Sequence, residues 1–287
     1  MKLCVVLMAA ALLPALPATP VLAQDAAPDE AQQNVPPKRN PAEDAEYANA
    51  RKVADPARRA EALENFVKRY PNSEMKVEAW EWAMAAYQQT GNAAKAGDLA
   101  KRILEIQPQS VRALYVYVAQ ARALGDQAPD DAREAAMQGM LSLNAWQSPE
   151  GMPDAEYTRL RGEMTATFAS ASAYYAMVGR DLGTARMYYQ QALQVNPMSV
   201  EDTYSLGLVE MEMQPLDPAG FWYIARAVHL AKSARNGSES FIANYGRVKY
   251  AQFHGSLEGW AEIVTRAANE TTIPDDFTVG QSSPPDN

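Results

Sequence analysis

The 287-residue chain is 47% hydrophobic and 21% charged, with 19 Pro, 15 Gly, two His and one Cys, enough apolar content to bury a core in one or two domains. Its 26 basic against 35 acidic residues give a net charge of −9, so it offers no basic field for nucleic acid or anionic lipid, and neither is expected as a partner. A single Cys and two His leave too few soft ligands for a Cys/His zinc site and allow no intrachain disulfide.

Lys2 leads an apolar run from Leu3 to Leu13, followed by Pro14 and Pro17 and then by Val21, Leu22 and Ala23 ahead of Gln24. This is the layout of a secretory signal peptide over residues 1–23, cleaved after Ala23. The run is too short to cross about 30 Å of hydrocarbon as a helix, which takes about 20 residues, and no later segment is apolar enough to span. Cys4 sits at the front of the run rather than at its end, where lipid attachment would need it, so a lipoprotein anchor is not expected. Cleavage would remove Lys2 and the only Cys but no acid, and a cysteine-free product suits an oxidising compartment, periplasmic or secreted. Residues 24–41, rich in Ala, Gln, Asp and Pro, cannot repay the entropy of folding and read as a disordered leader.

Residues 42–235 read as helical pairs. The first, over 42–73, places helices at Ala42 to Val53 and Ala57 to Tyr70. The second, over 77–110, has Trp80, Ala83, Met84 and Tyr87 ahead of a turn at Gly91 and Asn92, then Ala96, Ala100 and Ile103, then Pro108. Trp80, Ala83 and Tyr87 share one face of their helix, and Ala96, Ala100 and Ile103 one face of the next. The third, over 111–144, carries Leu114, Tyr117 and Ala121, a turn at Gly125 and Asp126, and then Ala132, Ala136 and Gly139, but no closing Pro. A linker near Ala145 to Asp154 precedes the fourth, over 166–199, where Ala169, Ser172, Ala173 and Ala176 lead to Ala185, Tyr189, Ala192 and Pro197. In the fifth, over 200–235, Leu206 and Gly207 restore the first-helix pattern, and Asp217 with Pro218 predicts the N-cap and first turn of a helix through Phe221, Trp222 and Tyr223.

Over 236–270, Glu239 to Ala251 and Leu257 to Ala268 read as two capping helices, because a stack of repeats needs a polar cover over its last apolar face. Residues 271–287 form a tail, extended at Phe277, Thr278 and Val279 and disordered beyond Gly280. His254, just ahead of Gly255, is placed to hydrogen-bond the last carbonyls of a helix; a role as general base or ligand would require an acid partner, for which Glu258 and Glu262 are nearest in sequence. His229, between Val228 and Leu230, reads as a packed residue.

The spacing of Trp80, Ala83, Met84, Tyr87, Ala96, Ala100 and Pro108, repeated in the copy ending at Pro197, resembles the tetratricopeptide repeat. The clearest copies are 77–110 and 166–199, and the looser ones are 42–73, 111–144 and 200–235. The run Leu206 and Gly207, then Gly220 to Val228, Tyr245 and Gly246, His254 and Gly255, and Gly259 and Trp260 is similar to exported bacterial repeat proteins of unassigned role. Residues 60–87 are similar to repeats of envelope proteins that attend outer-membrane assembly or cell division. The resemblance implies an all-α, right-handed superhelical solenoid of helix pairs with a C-terminal helical cap, and a concave groove lined by first helices.

On that pattern the groove would present Glu81, Ala85 and Gln88, then Arg112, Tyr115 and Arg122, then Ser170, Tyr174 and Met177, then Glu201, Tyr204, Leu208 and Met211. Tyr and Met give rigid amphipathic and adaptable apolar contact, suited to an extended or helical segment of another envelope protein. Equally, Met177, Leu208 and Met211 could contact a neighbouring helix or the chain's own C-terminal segment. The Lys and Asn pattern by which chaperone-binding repeats clamp a C-terminal carboxylate is missing from these positions. No phosphate loop, nucleophile elbow, HExxH helix or Gly-rich dinucleotide turn occurs, so no enzyme, cofactor or metal is expected. The expectation is therefore a non-enzymatic scaffold for protein–protein interaction. The alternative is a carrier of a small molecule or cell-wall fragment in a pocket formed by Trp222, Tyr223, His254 and Trp260, and a third possibility is self-association through the ends.

Overall fold

A computed structural model describes residues 40–148 and 152–280. The signal peptide expected at 1–23 with Cys4, the leader expected at 24–41 except its last two residues, and the end of the tail at 281–287 lie outside the described residues. The unit that begins at Pro41 is helical throughout, and no strand occurs among its described residues. Its helices are α1 (Pro41–Arg51), α2 (Pro56–Arg69), α3 (Lys76–Gln89), α4 (Ala93–Ile106), α5 (Val111–Leu124), α6 (Ala132–Ala145), α7 (Asp154–Val178), α8 (Leu182–Val195), α9 (Val200–Glu212), α10 (Ala219–Ala234), α11 (Glu239–His254) and α12 (Trp260–Asn269).

Local chemistry sets the helix starts. Asp55, Asn92, Ser110, Asp181 and Ser199 each accept a hydrogen bond from the backbone N–H three residues on, satisfying a donor that the first turn leaves unpaired. At α10 the start falls one residue later than the sequence suggests: Pro218 precedes the helix, while Asp217 Oδ1 accepts from Ala219 N at 3.0 Å. Gly91 (φ +70) turns the chain between α3 and α4 in the left-handed region that favours glycine.

Each helix packs on the next from α1 to α11, and the core forms successive clusters along the stack. Leu63, Phe66, Met84, Leu99 and Ile103 fill the α1–α5 end; Leu114, Val118, Met164 and Phe168 fill the middle; Tyr189, Leu206 and Val209 join α8 to α9. Each fully buried large side chain contributes about 1.5–3 kcal/mol, and it does so only because a neighbouring pair covers it. Small residues permit the approach. A Cβ on Gly139 would lie 2.3 Å from the Phe168 ring, and one on Gly207 would lie 3.1 Å from Gly220 O.

Two regions depart from the repeating pattern. Helix α7 runs 25 residues and so begins twelve residues before the repeat that its second half completes. The extra turns are held by the end of α6: Arg161 Nη1 donates to Leu143 O at 2.7 Å, Tyr157 OH donates to Trp146 O at 2.7 Å, and the Trp146 and Tyr157 rings lie 4.9 Å apart. At the other end the backbone of α12 lies against α10 rather than α11. It starts at Trp260, later than Leu257, because Gly259 takes a left-handed turn (φ +83). The Trp260 side chain reaches α11, its ring tilted 5.4 Å from Tyr250 and set over Gly246, where a Cβ would lie 2.7 Å from the indole. Ile273, Phe277 and Val279 of the tail also pack into this C-terminal core.

Candidate functional site

Helix α5 packs on α7 as well as on its sequence neighbours, and α7 touches α9 more lightly; between second helices the corresponding contact is that of α10 with α12. The first helices of these central pairs thus form a row of their own along the stack. Three of the predicted groove residues meet there. The Arg122 guanidinium carbon lies 4.1 Å from the centroid of the Tyr174 ring, and Arg122 Nη2 pairs with Glu201. Beside them Ser170 Oγ donates to Asp202.

The remaining predicted groove residues divide. Gln88 is exposed at the end of α3. Tyr115 is half-buried between the first and middle core clusters, and burial pushes its phenol up. Tyr204 is half-buried, edge-on to Phe241 at 6.2 Å and Tyr245 at 5.9 Å. Met177 packs against the α8–α9 core, and Leu208 and Met211 against the C-terminal core. The chain's own helices thus take up much of the apolar surface expected to face a partner. The large apolar side chains left exposed lie on both kinds of helix: Ile106, Met137, Leu141, Met187 and Val195 on second helices, and Leu124, Val178, Phe241 and Val248 on first helices.

Glu81 and Arg112 belong to a separate feature, an open cleft of about 810 Å³ at the α1–α6 end. Four segments build it: the end of α1, the α3 face opposite the core, the α4–α5 turn and the end of α6. Ser110 Oγ donates to Glu81 Oε1 at 2.8 Å, and Arg112 Nη1 lies 4.0 Å from Glu81 Oε2. Arg51 pairs with Glu78 at 3.5 Å and sits 4.6 Å from the Trp82 ring, with Arg112 at 5.9 Å from the same ring. Trp82 Nε1 donates to Glu78 Oε1 at 3.4 Å. Trp146 completes the wall, backed by Tyr157. Sequence reasoning missed Arg51, Glu78, Trp82 and Trp146. Part of the signal was present, since Glu78 and Trp82 stand four residues apart on α3, off the face that Trp80, Ala83 and Tyr87 bury.

The four residues of the alternative pocket do not come together. Trp222 and Tyr223 line a cavity of about 450 Å³ with Leu193, Leu206, Arg226 and Ile273. Trp260 is a core residue over Gly246, and His254 lies at the end of α11, its Nδ1 2.6 Å from Gly280 O. The imidazole therefore meets a tail carbonyl rather than the last carbonyls of its own helix. Arg226, which lines this cavity, donates to Ala267 O at 3.0 Å, and burial lowers its pKa.

A buried charge cluster borders the same region. Glu210 has no solvent exposure, and Arg186 Nε lies 2.8 Å from its Oε1; Arg186 Nη2 lies 3.0 Å from Asp217 Oδ2. Burial, reinforced by Asp217 and opposed by Arg186, pushes the Glu210 carboxyl up to about 7.

Among the described residues no group of three or more His, Cys, Asp or Glu is placed to hold a metal ion, and no helix is long and apolar enough to cross a membrane. No protein-family model matches the chain, and no curated protein sequence matches it.

Proposed function

We propose that the protein is an exported, non-enzymatic scaffold of the tetratricopeptide type, periplasmic or secreted, that binds a segment of another cell-envelope protein along the inner side of its helical stack. The observation that carries this reading is the direct succession of α5, α7 and α9, with Arg122, Tyr174 and Glu201 aligned across the three helices. A surface made of successive first helices offers side chains at regular spacing along one line, which suits a partner that is itself a linear segment. The amino-terminal Lys2 and apolar run support export, and the absence of any nucleophile or phosphate-loop motif supports a binding rather than a catalytic role.

Site-specific photo-crosslinking tests it. A photoreactive residue at Gln88 or Glu201, both exposed on first helices, is expected to capture the same envelope protein. Met137 and Met187, exposed on second helices, are the controls. Capture from the second-helix positions alone, or from none, overturns the reading.

A second reading, a carrier of a small molecule, draws on the cavity beside Trp222 and Tyr223, which lies between the repeats and the C-terminal segment. Crosslinking at the first helices would then give no partner, while a ligand would quench the tryptophan emission.

A further inference from the structure

The cleft at the α1–α6 end has a chemistry that constrains its occupant. Its volume of about 810 Å³ lies within the roughly 300–1,000 Å³ of ligand sites. Its two guanidinium groups are each matched by a carboxylate, Arg51 by Glu78 and Arg112 by Glu81, so these four groups carry no net charge. Such a wall has no excess of either sign with which to select an anion or a cation. An apolar ligand fits no better: it would strip water from four charged groups, from Ser110 and from the amides of Gln107 and Gln109 without replacing the lost hydrogen bonds. The Trp146 indole, in turn, presents flat apolar surface that a purely polar solute would leave unused.

The occupant that satisfies all three conditions is uncharged, dense in groups that both donate and accept hydrogen bonds, and apolar on one face. A pyranose ring has that character. Its hydroxyls can each donate to a carboxylate and accept from a guanidinium, and its axial C–H groups form an apolar face for an aromatic ring. The site is also held in place before any ligand arrives. Tyr157 backs Trp146; Trp82 is fixed between Arg51, Arg112 and Glu78; and Glu81 is oriented by Ser110. Pre-ordered side chains lower the entropy lost on binding.

We propose that this cleft is a binding site for a neutral oligosaccharide, with Trp146 as the stacking platform and the Arg51–Glu78 and Arg112–Glu81 pairs as the hydroxyl-binding groups. The proposal goes beyond the scaffold reading and does not depend on it, since Trp146 and Arg51 lie on neither the α5–α7–α9 face nor any position used to test that face.

The test is titration of the full chain by calorimetry and intrinsic fluorescence with chitotetraose, cellotetraose and maltotetraose, with a sulfated tetrasaccharide as an anionic comparison and a tryptophan- and arginine-containing peptide as a second class of ligand. At least one neutral tetrasaccharide is expected to bind, with a change in tryptophan emission and less than a threefold change in Kd between 50 and 500 mM NaCl. Trp146→Ala and Arg51→Ala should each weaken it at least tenfold, and Met187→Ala, on the exposed face of α8, should leave it unchanged. Arg51 is an exposed side chain, so its variant remains informative even if Trp146→Ala unfolds the end of α6. Failure of all three neutral sugars, preference for the sulfated sugar or the peptide, or binding indifferent to Arg51→Ala overturns the proposal.

Discussion

Arg186 on α8 holds its Nε 2.8 Å from a carboxylate oxygen of Glu210 on α9, a side chain with no solvent exposure at all. The pair links two neighbouring helix pairs through the core, and its energetics depend on which proton Glu210 keeps. Burial raises its folded-state value to about 7 from an ordinary 4.5. A raised carboxyl value means that the folded chain holds the proton more tightly than the unfolded chain does. The associated stability is therefore fully present below pH 4.5 and is lost as pH rises through 7. The difference corresponds to about 3 kcal/mol. Urea unfolding of Glu210→Gln against the parent should show the variant gaining relative stability by about that amount between pH 5 and pH 8. A difference independent of pH would mean that Arg186 keeps the carboxylate ionised throughout.

Close approach of α6 and α7 rests on the absence of a side chain at Gly139. A Cβ there would lie 2.3 Å from the ring of Phe168, which is itself fully buried. Gly139→Ala is expected to destabilise the protein by about 1–3 kcal/mol, the usual cost of overpacking. Phe168→Leu, by itself a loss of core volume, should recover part of that cost when combined with it. Simple addition of the two effects in chemical unfolding would show that the clash is relieved elsewhere.

The Arg122, Tyr174 and Glu201 row can be dissected in the same way. Arg122 is largely covered while Glu201 is mostly exposed, so the ion pair should be worth under about 1 kcal/mol and should fade in 1 M salt. The stacking of Arg122 on Tyr174 is better shielded, and its coupling in a double-mutant cycle should be about 0.5–1 kcal/mol and resist salt. The reverse ranking would show that the row is held by charge rather than by ring contact.

The helical pairs were legible in the sequence wherever small and large residues alternate at helical spacing, as from Trp80 to Ile103, because that pattern reports packing against immediate neighbours. Arg159, Leu160 and Arg161 carry no such pattern. The first turns of α7 are instead fixed by groups on α6, and Arg161 finds its carbonyl acceptor 18 residues away. The same limit applies to sites. Arg51 and Trp146 share a cleft only because intervening helices fold them together, and no single repeat contains both. Met211 falls on the first-helix face expected to line a groove, but it packs against Gly220 at the start of α10 and the C-terminal core, a partner that the repeat spacing alone does not name. His254 was correctly placed next to the glycine that ends its helix, yet its partner carbonyl comes from Gly280, 26 residues on.

That tail contact supports a last prediction. Phe277 meets the Trp222 ring edge-on at 5.2 Å, Val279 is buried, and Gly280 is tied to His254, so residues 273–280 cover the α10 face that a stack of helices would otherwise leave open. Phe277 is only half-buried, which places the cost of Phe277→Ala at about 1–3 kcal/mol, below the ~3–5 kcal/mol of a wholly buried phenylalanine. Loss of the ring should also let water reach Trp222 and move its fluorescence to longer wavelength before any global unfolding. A chain ending at Ile273 should show the same red shift in larger measure, together with increased self-association, because removal of the tail uncovers an apolar face on α10. If the shortened chain keeps its emission maximum and its melting temperature, the tail is not the cover of this core, and α11 and α12 alone must close the stack.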